Sequence, residues 1–351
     1  MKQEIIYTNH INEAIDEIFQ SKPYDHCFAL CDSNTHRQVL PRIASHHIDQ
    51  ERVIVIPAGE EHKNIDTLTA VWNELSQKGA TRHSLLINIG GGMVTDLGGM
   101  AAATFKRGID FCNIPTTLLG AVDAAIGGKT GINLGGLKNE IGTFAHARQV
   151  IISTLFFDTL PHKELLSGYA EMLKHGLIDS ERHYYELIDT DITAIEPDNL
   201  LPLLQHSIGV KQAITHQDPL EKGIRRVLNL GHTIGHAIEE HSHLHGHPVP
   251  HGYAIAWGLV CELIIAHRAI SFPSTILYDL AHYVEKHYGS YPITCDDYDE
   301  LITFMLHDKK NKGNNINFSL LKKIGEYSID NYISRDEIEI ALDFYRDLFH
   351  L

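Results

Sequence analysis

His232 and His236 stand four apart in the run RRVLNLGHTIGHAIEEHSHLHGHPVPH, which spans 225–251 and ends in a third imidazole at His251. Side chains at i and i+4 share one helix face, so the pair can present two ring nitrogens to a metal ion or a substrate. Upstream, LLSGYAEMLKHGLI places Glu171 and Lys174 three apart, a carboxylate and an amine on one face of another helix. A carboxylate with two histidines makes a catalytic zinc set, because three protein ligands leave one coordination position open.

These side chains need helices to carry them. From Pro161 onward, LPHKELLSGYAEMLKHGLI, NLLPLLQHSIGVKQAIT, VLNLGHTIGHAIEEH, GYAIAWGLVCELIIAHRAI, STILYDLAHYVEKH and RDEIEIALDFYRDLF all repeat apolar residues at period 3.6. The second half is therefore expected to be mainly helical. The earlier residues instead alternate β-branched runs (IIYT, CFALCD, RVIVIP, SLLINIG, FCNIP, QVIIS) with helical stretches, one over 63–79 and another opening after Gly92. That is the pattern of a parallel sheet covered by helices. The change near Leu160–Pro161 divides the chain into an α/β domain over 1–160 and a helical domain over 161–351.

A length of 351 residues suits two domains of ordinary size. With 29 basic against 45 acidic residues the formal charge is −16, which opposes binding to nucleic acid. An anionic substrate must then meet a local cluster of Lys and Arg. The five cysteines, Cys27, Cys31, Cys112, Cys261 and Cys295, have neither CxxC spacing nor an evident pairing, which suits a reducing cytoplasm. The N-terminus has no apolar signal core, and the greasy run AIAWGLVC is interrupted by Glu262, so no membrane span is expected. Most of the 25 histidines, including those crowded into 241–247, are expected to be solvated bystanders.

Two glycine-rich stretches suggest phosphate binding. SLLINIG runs into Gly90, Gly91 and Gly92 ahead of a helix that begins MVTD; glycines at such a turn let the backbone approach a pyrophosphate at a helix N-terminus. The turn is not the GxGxxG fingerprint, and a plain tight turn stays open as a reading. Next, IPTTLLGAVDAAIGGKTGINLGGLKNEIG sets Asp123, Lys129, Lys138 and Asn139 among glycines, where amides and ammonium groups can cradle phosphate. A flexible surface loop is the alternative.

Taken in order, AGEEHK, GGGMVTDLGG, ATFKRG, PTTLLGAVDAAIGGKTGIN, KNEIG, SGYAEMLKHG, RRVLNLGHTIGHAIE, the His251-Gly252 pair and DKKN make the chain similar to the 3-dehydroquinate synthases of the sugar-phosphate cyclase superfamily across almost its full length. The resemblance implies a Rossmann-like NAD-binding α/β domain followed by a mainly α-helical metal-binding domain. It also implies a divalent metal, normally zinc with cobalt possible, on Glu171, His232 and His251. Phosphate would meet Lys129, Asn139 and one of Lys309 and Lys310, with Arg107 supplied by the partner subunit of a homodimer. Lys211 and Arg225 match the pair that grips the substrate carboxylate, Asp123, Lys174 and Asn229 match contacts to hydroxyls, and His236 matches a histidine near substrate. Asp32, Asn34, Glu60, Lys63, Gly92, Asp96, Thr116, Thr117, Lys129, Lys138 and Thr159 fall on NAD-contacting positions. The implied reaction converts 3-deoxy-D-arabino-heptulosonate 7-phosphate to 3-dehydroquinate and phosphate, with no net redox, in the shikimate pathway.

The chain has Tyr253 where the family commonly has Glu, so altered packing around the metal set is expected rather than loss of metal. His245-Gly246 competes with His251-Gly252 for the third ligand; His251 is preferred because a helix starts directly after it. Three other readings stay open: a cyclase acting on sedoheptulose 7-phosphate or glucose 6-phosphate, a metal-dependent polyol dehydrogenase, and a His-rich metal-storage protein. Retention of Lys211, Arg225, Asn229 and His236 together favours a carboxylate-bearing substrate, because a buried cation pair without its anion is costly.

Overall fold

The computed structural model describes residues 3–135, 137–306 and 315–351. The chain forms two units, one comprising Met1–Pro161 and Glu196–Ile208, the other His162–Ile195 and Gly209–Leu351.

Six parallel strands form the sheet of the first unit in the order β1-β8-β5-β4-β2-β3: β1 (Glu4–Tyr7), β2 (Cys27–Asp32), β3 (Val53–Ile56), β4 (Leu85–Gly90), β5 (Asp110–Pro115) and β8 (Gln149–Ile152). They are the six runs that sequence patterning marks as strands. Near-continuous Val, Ile and Leu suit strands buried on both faces, and β4 is buried at every position. On one side Ile15 and Ile18 of helix α1 (Ile11–Ser21) pack into a core with Ile87, Ile89, Ile114 and Ile151. Short α2 (Ser33–Gln38) follows β2, α3 (Ile65–Gln77) follows β3, and α4 (Gly92–Thr104) follows β4. Strand order reverses between β2 and β4, since β3 lies outside β2 while β5 lies on the far side of β4. The carboxyl ends of two such strands form the crevice where open α/β sheets bind ligands.

The glycine-rich stretch after β5 is not a flexible loop. It folds into an antiparallel hairpin of β6 (Lys129–Leu134) and β7 (Leu137–Phe144), paired from Lys129↔Phe144 to Leu134↔Leu137. Gly131 and Gly142 face each other across it, and a Cβ on Gly131 would lie 2.8 Å from the Ile141 carbonyl oxygen. Glycine here permits close backbone approach within the protein itself.

The second unit is built from α5 (His162–Asp179), α6 (Glu181–Ile188), the later part of α7 (Pro197–Gln217), α8 (His232–Leu244), α9 (His251–Ile270), α10 (Ser274–Tyr288), α11 (Tyr298–Leu306) and α12 (Arg335–Leu348). Its helices include all those that periodicity marks after Pro161. A second hairpin, β9 (Ile316–Lys323) with β10 (Glu326–Ile333), interrupts the helical run and was not legible in the pattern; its register slips between Glu326 and Tyr327 and again between Ser328 and Asn331. In β10 that irregularity breaks the strict alternation that advertises a strand, although Ile316, Phe318 and Leu320 of β9 do alternate with polar residues. Helix α9 is the core of this unit, packed by α5, α8, α10, α12 and β9. By length and composition α9 could cross a membrane, yet 72% of its apolar window is buried inside the fold.

Candidate active site

Glycines set the geometry of the second unit. A Cβ on Gly252 would overlap the Ser167 backbone, and the Gly252 N–H donates to Ser167 Oγ at 3.0 Å, so the first turn of α9 lies directly against α5. His251 precedes that glycine and Glu171 follows Ser167 by one helical turn, which brings the two side chains together. Where α8 crosses α9, a Cβ on Gly258 would stand 2.7 Å from the Gly235 nitrogen. That crossing carries His232 and His236 to the same place.

The result is a cluster in which Glu171 Oε1 lies 3.4 Å from His232 Nε2 and 3.7 Å from His251 Nε2. Tetrahedral zinc with bonds of about 2.0–2.1 Å separates its ligand atoms by about 3.3 Å. Both distances are close to the spacing a shared ion requires. Glu171 is wholly buried and its Oε1 accepts no hydrogen bond, an orphaned lone-pair site that a cation would satisfy. His236 is near as well, since a ring nitrogen from each of His232, His236 and His251 falls within 4.8 Å of the others. The His236 side chain is exposed, which leaves it accessible to a substrate.

Both Nε2 atoms face the cluster because the opposite ring nitrogens are engaged. His232 Nδ1 lies 3.0 Å from the Leu230 carbonyl oxygen, and His251 Nδ1 lies 3.0 Å from Glu239 Oε2. A partner that takes the Nδ1 proton fixes the tautomer in which Nε2 can bind metal. Glu262 positions the entrance of α8. It is fully buried and accepts from the backbone N–H groups of Gly231 at 2.6 Å, Thr233 at 2.9 Å and Ile234 at 3.2 Å, satisfying donors that the start of α8 leaves without intrahelical partners. Burial pushes the Glu262 carboxyl up to about 8, with the three N–H donors pulling the other way.

Charge balance in the cluster is uneven. Burial would raise the Glu171 pKa, but the Lys174 ammonium paired with it, reinforced by the two imidazoles, holds it well below the usual carboxylate range. Burial and Lys174 keep His232 well below its ordinary value, so that ring is neutral. For His251 burial acts in the same direction, yet the carboxylates of Glu239 and Glu171 outweigh it and raise the value to about 10.

Other residues singled out in the second unit are distributed around its buried polar positions. Lys211 on α7 is 7% exposed and Arg225, in the 3-10 turn before α8, is 3% exposed. Arg225 Nη1 donates to the Pro219 carbonyl at 2.8 Å, and Asn229 Nδ2 to Glu221 Oε1 at 3.2 Å. Tyr253 packs edge-on against Tyr288, with centroids 5.0 Å apart, and against Trp257 at 5.9 Å. An aromatic cluster thus occupies the place where a carboxylate was the expected type. Lys309 and Lys310 lie outside the described residues.

In the first unit the candidates collect at the carboxyl ends of β2 and β4. Asp32 ends β2 and caps α2 by accepting from the Asn34 and Thr35 N–H groups, both at 2.8 Å. Gly91 is the N-cap of α4, and no side chain caps that helix. A Cβ on Gly91 would stand 3.1 Å from Thr117 Cγ2, and one on Gly120 3.3 Å from the Gly92 nitrogen. The turn is therefore closely packed, with first-turn N–H groups not claimed by a side-chain cap, and these suit a pyrophosphate. Lys63, 4% exposed, donates to Asp96 Oδ2 at 2.6 Å and Asn139 Oδ1 at 2.5 Å. Burial would lower the Lys63 pKa, but Asp96 and Glu60 hold it above the ordinary lysine value. Thr116 is buried and its N–H donates to the Gly90 carbonyl at 3.0 Å. Thr117 Oγ1 accepts from Gly120 N–H at 3.0 Å, and Thr159 Oγ1 donates to Phe156 O at 3.1 Å. Asp123 lies in the π-helical turn Gly120–Ala124, while Lys129 and Lys138 are exposed on the β6–β7 hairpin. Asn139 adopts a left-handed φ of 53° and Arg107 one of 69°.

The family model described as 3-dehydroquinate synthase N-terminal matches residues 53–167, and that described as 3-dehydroquinate synthase C-terminal matches 168–311. A protein named 3-dehydroquinate synthase from Parabacteroides distasonis is 44% identical over 349 residues, covering 99% of each chain. The chain belongs to the 3-dehydroquinate synthase family. The fold agrees with solved structures of related enzymes. A 2-deoxy-scyllo-inosose synthase complexed with carbaglucose-6-phosphate, NAD+ and Co2+ superposes with a TM-score of 0.84 at 24% identity, covering 96% of this chain and 95% of that one. ValA, a 2-epi-5-epi-valiolone synthase from Streptomyces hygroscopicus with NAD+ and Zn2+ bound, gives 0.87 at 22% identity, covering 99% and 97%. The expected Rossmann-like α/β part followed by a mainly helical part is the fold this chain shares with those two structures.

Sequence reasoning missed Glu239 and Glu262. Glu239 follows His236 by three positions and His232 by seven, so helical spacing alone could have placed it on the histidine face. Glu262 is a lone charge inside an apolar helix, and such residues are almost never buried without partners.

Proposed function

We propose that the chain is a phosphate-eliminating carbon–oxygen lyase that converts 3-deoxy-D-arabino-heptulosonate 7-phosphate to 3-dehydroquinate. The observation that carries the reading is Glu171 Oε1 poised 3.4 and 3.7 Å from the Nε2 atoms of His232 and His251, in a chain 44% identical to a relative of that name. In this reading those three side chains hold zinc or cobalt, and NAD lies at the α4 N-terminus, contacted by Asp32, Asn34, Glu60, Lys63, Gly92, Asp96, Thr116, Thr117, Lys129, Lys138 and Thr159. When bound, NAD takes up and returns a hydride while the metal lowers the pKa of the hydroxyl it holds.

The protein side chains bind and orient. Lys129, Asn139, one of Lys309 and Lys310, and Arg107 contributed within a homodimer neutralise the phosphate; Lys211 and Arg225 grip the carboxylate, the guanidinium offering two parallel N–H donors. Asp123, Lys174, Asn229 and His236 hold hydroxyls. Oxidation at C5 acidifies the neighbouring C–H, so phosphate departs by β-elimination; reduction restores the alcohol, and ring opening with intramolecular aldol addition closes the carbocycle. The electrons removed in the first step return in the third, so no net redox occurs. Held substrate geometry supplies much of the rate.

Lys211 and Arg225, both buried cations, favour this substrate over the sugar phosphates of other cyclases that lack a carboxylate, because both can pair with that group. Exposed Leu134, Leu137, Ile141 and Phe144 on the β6–β7 hairpin, together with exposed Arg107, support the homodimer. A cytoplasmic location accords with the five free cysteines. The test is to mix the purified chain with NAD, Zn2+ and the heptulosonate phosphate. Equal yields of orthophosphate and 3-dehydroquinate without accumulating NADH support the reading; accumulating NADH, or turnover only of sugar phosphates lacking a carboxylate, refutes it.

A further inference from the structure

The histidines beyond His236 are not all solvated. His241 lies on α8 about 13 Å past His232, at about 1.5 Å per residue, and is 5% exposed. Its Nδ1 is 2.7 Å from the Tyr291 hydroxyl, and Tyr291 is itself fixed by its N–H donating to the Tyr345 hydroxyl at 2.9 Å. Its buried Nε2 makes no hydrogen bond. That nitrogen points at two carboxylates, Glu300 Oε2 at 3.4 Å and Asp297 Oδ1 at 3.5 Å. His245, one turn further along, stacks on His241 with centroids 4.2 Å apart and sets its Nε2 2.8 Å from the same Glu300 oxygen. Asp297 is aimed by its other oxygen, which accepts from Thr294 N–H at 2.7 Å and Thr294 Oγ1 at 2.9 Å.

Ion pairing accounts poorly for this group. His245 can donate a neutral Nε2–H to Glu300, but the buried Nε2 of His241 faces two carboxylate oxygens without a hydrogen bond to either. A single cation shared by His241, His245 and Glu300 would satisfy that nitrogen. With bonds of about 2.0–2.2 Å, tetrahedral or octahedral coordination separates ligand atoms by about 2.8–3.6 Å, the range seen here. With Nδ1–H donated to Tyr291 oxygen, His241 is left in the tautomer that binds through Nε2. Two imidazoles with one carboxylate select zinc, cobalt or nickel over magnesium or calcium. We propose that His241, His245 and Glu300 form a second divalent transition-metal site, distinct from Glu171, His232 and His251.

Equilibrium dialysis of the full chain against Zn2+, followed by elemental analysis, tests the proposal. Wild type takes up two equivalents; His245→Ala and Glu300→Gln, both at partly exposed positions, each lose one while their circular dichroism and turnover stay those of wild type. Glu171→Ala also loses one but loses turnover with it, so the two sites are told apart. A single equivalent in wild type, or a second that persists in both His245→Ala and Glu300→Gln, overturns it.

Discussion

His251 Nδ1 sits 3.0 Å from Glu239 Oε2, and that contact turns the other ring nitrogen toward Glu171. In the proposed ligand set Glu239 would thereby orient His251 without itself touching the ion. Removing such a partner typically costs about 10–100-fold in metal affinity. Glu239→Gln is expected to weaken zinc binding by that factor, measured by competition with a chromophoric chelator, and activity should return when zinc is raised.

Metal uptake should release a proton. The carboxylates around His251 keep it protonated in the metal-free protein up to about pH 10, whereas His232 is neutral and Glu171 ionised throughout the neutral range. Zinc must displace the His251 proton, so its apparent affinity should rise about tenfold per pH unit from about pH 7 to pH 9. Calorimetry in buffers of different ionisation enthalpy should count close to one proton per ion. No proton release would show that His251 is already neutral.

Glu262 serves three backbone donors at the start of the helix that carries His232. Each donor stranded in a buried setting costs about 1–3 kcal/mol. Glu262→Ala should lower unfolding stability by several kcal/mol in chemical denaturation. Glu262→Gln, which keeps one acceptor oxygen, should lose less. Zinc affinity should fall in the same order, because the first turn of α8 loosens with its cap.

Arg225 should act on substrate binding more than on turnover. Arg225→Lys keeps the charge but loses the fork, and KM for the heptulosonate phosphate is expected to rise more than about tenfold with a smaller change in kcat. An unchanged KM would remove Arg225 from the carboxylate site.

Much of this was legible in the sequence where local pattern and final environment coincide. Buried parallel strands such as Leu85–Gly90 advertise themselves as unbroken apolar runs, and the His232–His236 spacing declares a shared helix face. What stayed hidden depends on tertiary contact. The β6–β7 hairpin looks like a loop because its glycines serve backbone approach within the protein, and β10 is masked by its slipped register. His241 reads as one more loop histidine, yet α8 continues to Leu244 and turns it into the core, against Tyr291. Glu239 and Glu262 gain their roles from His251 and from the α8 entrance, partners that become neighbours only when α8 and α9 pack.

Glu171, His232 and His251 are proposed to share one ion. Crystals grown with Zn2+, with diffraction recorded on either side of the zinc absorption edge, test it directly. An anomalous peak about 2.0–2.2 Å from Glu171 Oε1 and from both Nε2 atoms is the predicted result. Zinc bound elsewhere while those three side chains remain without it would contradict the account.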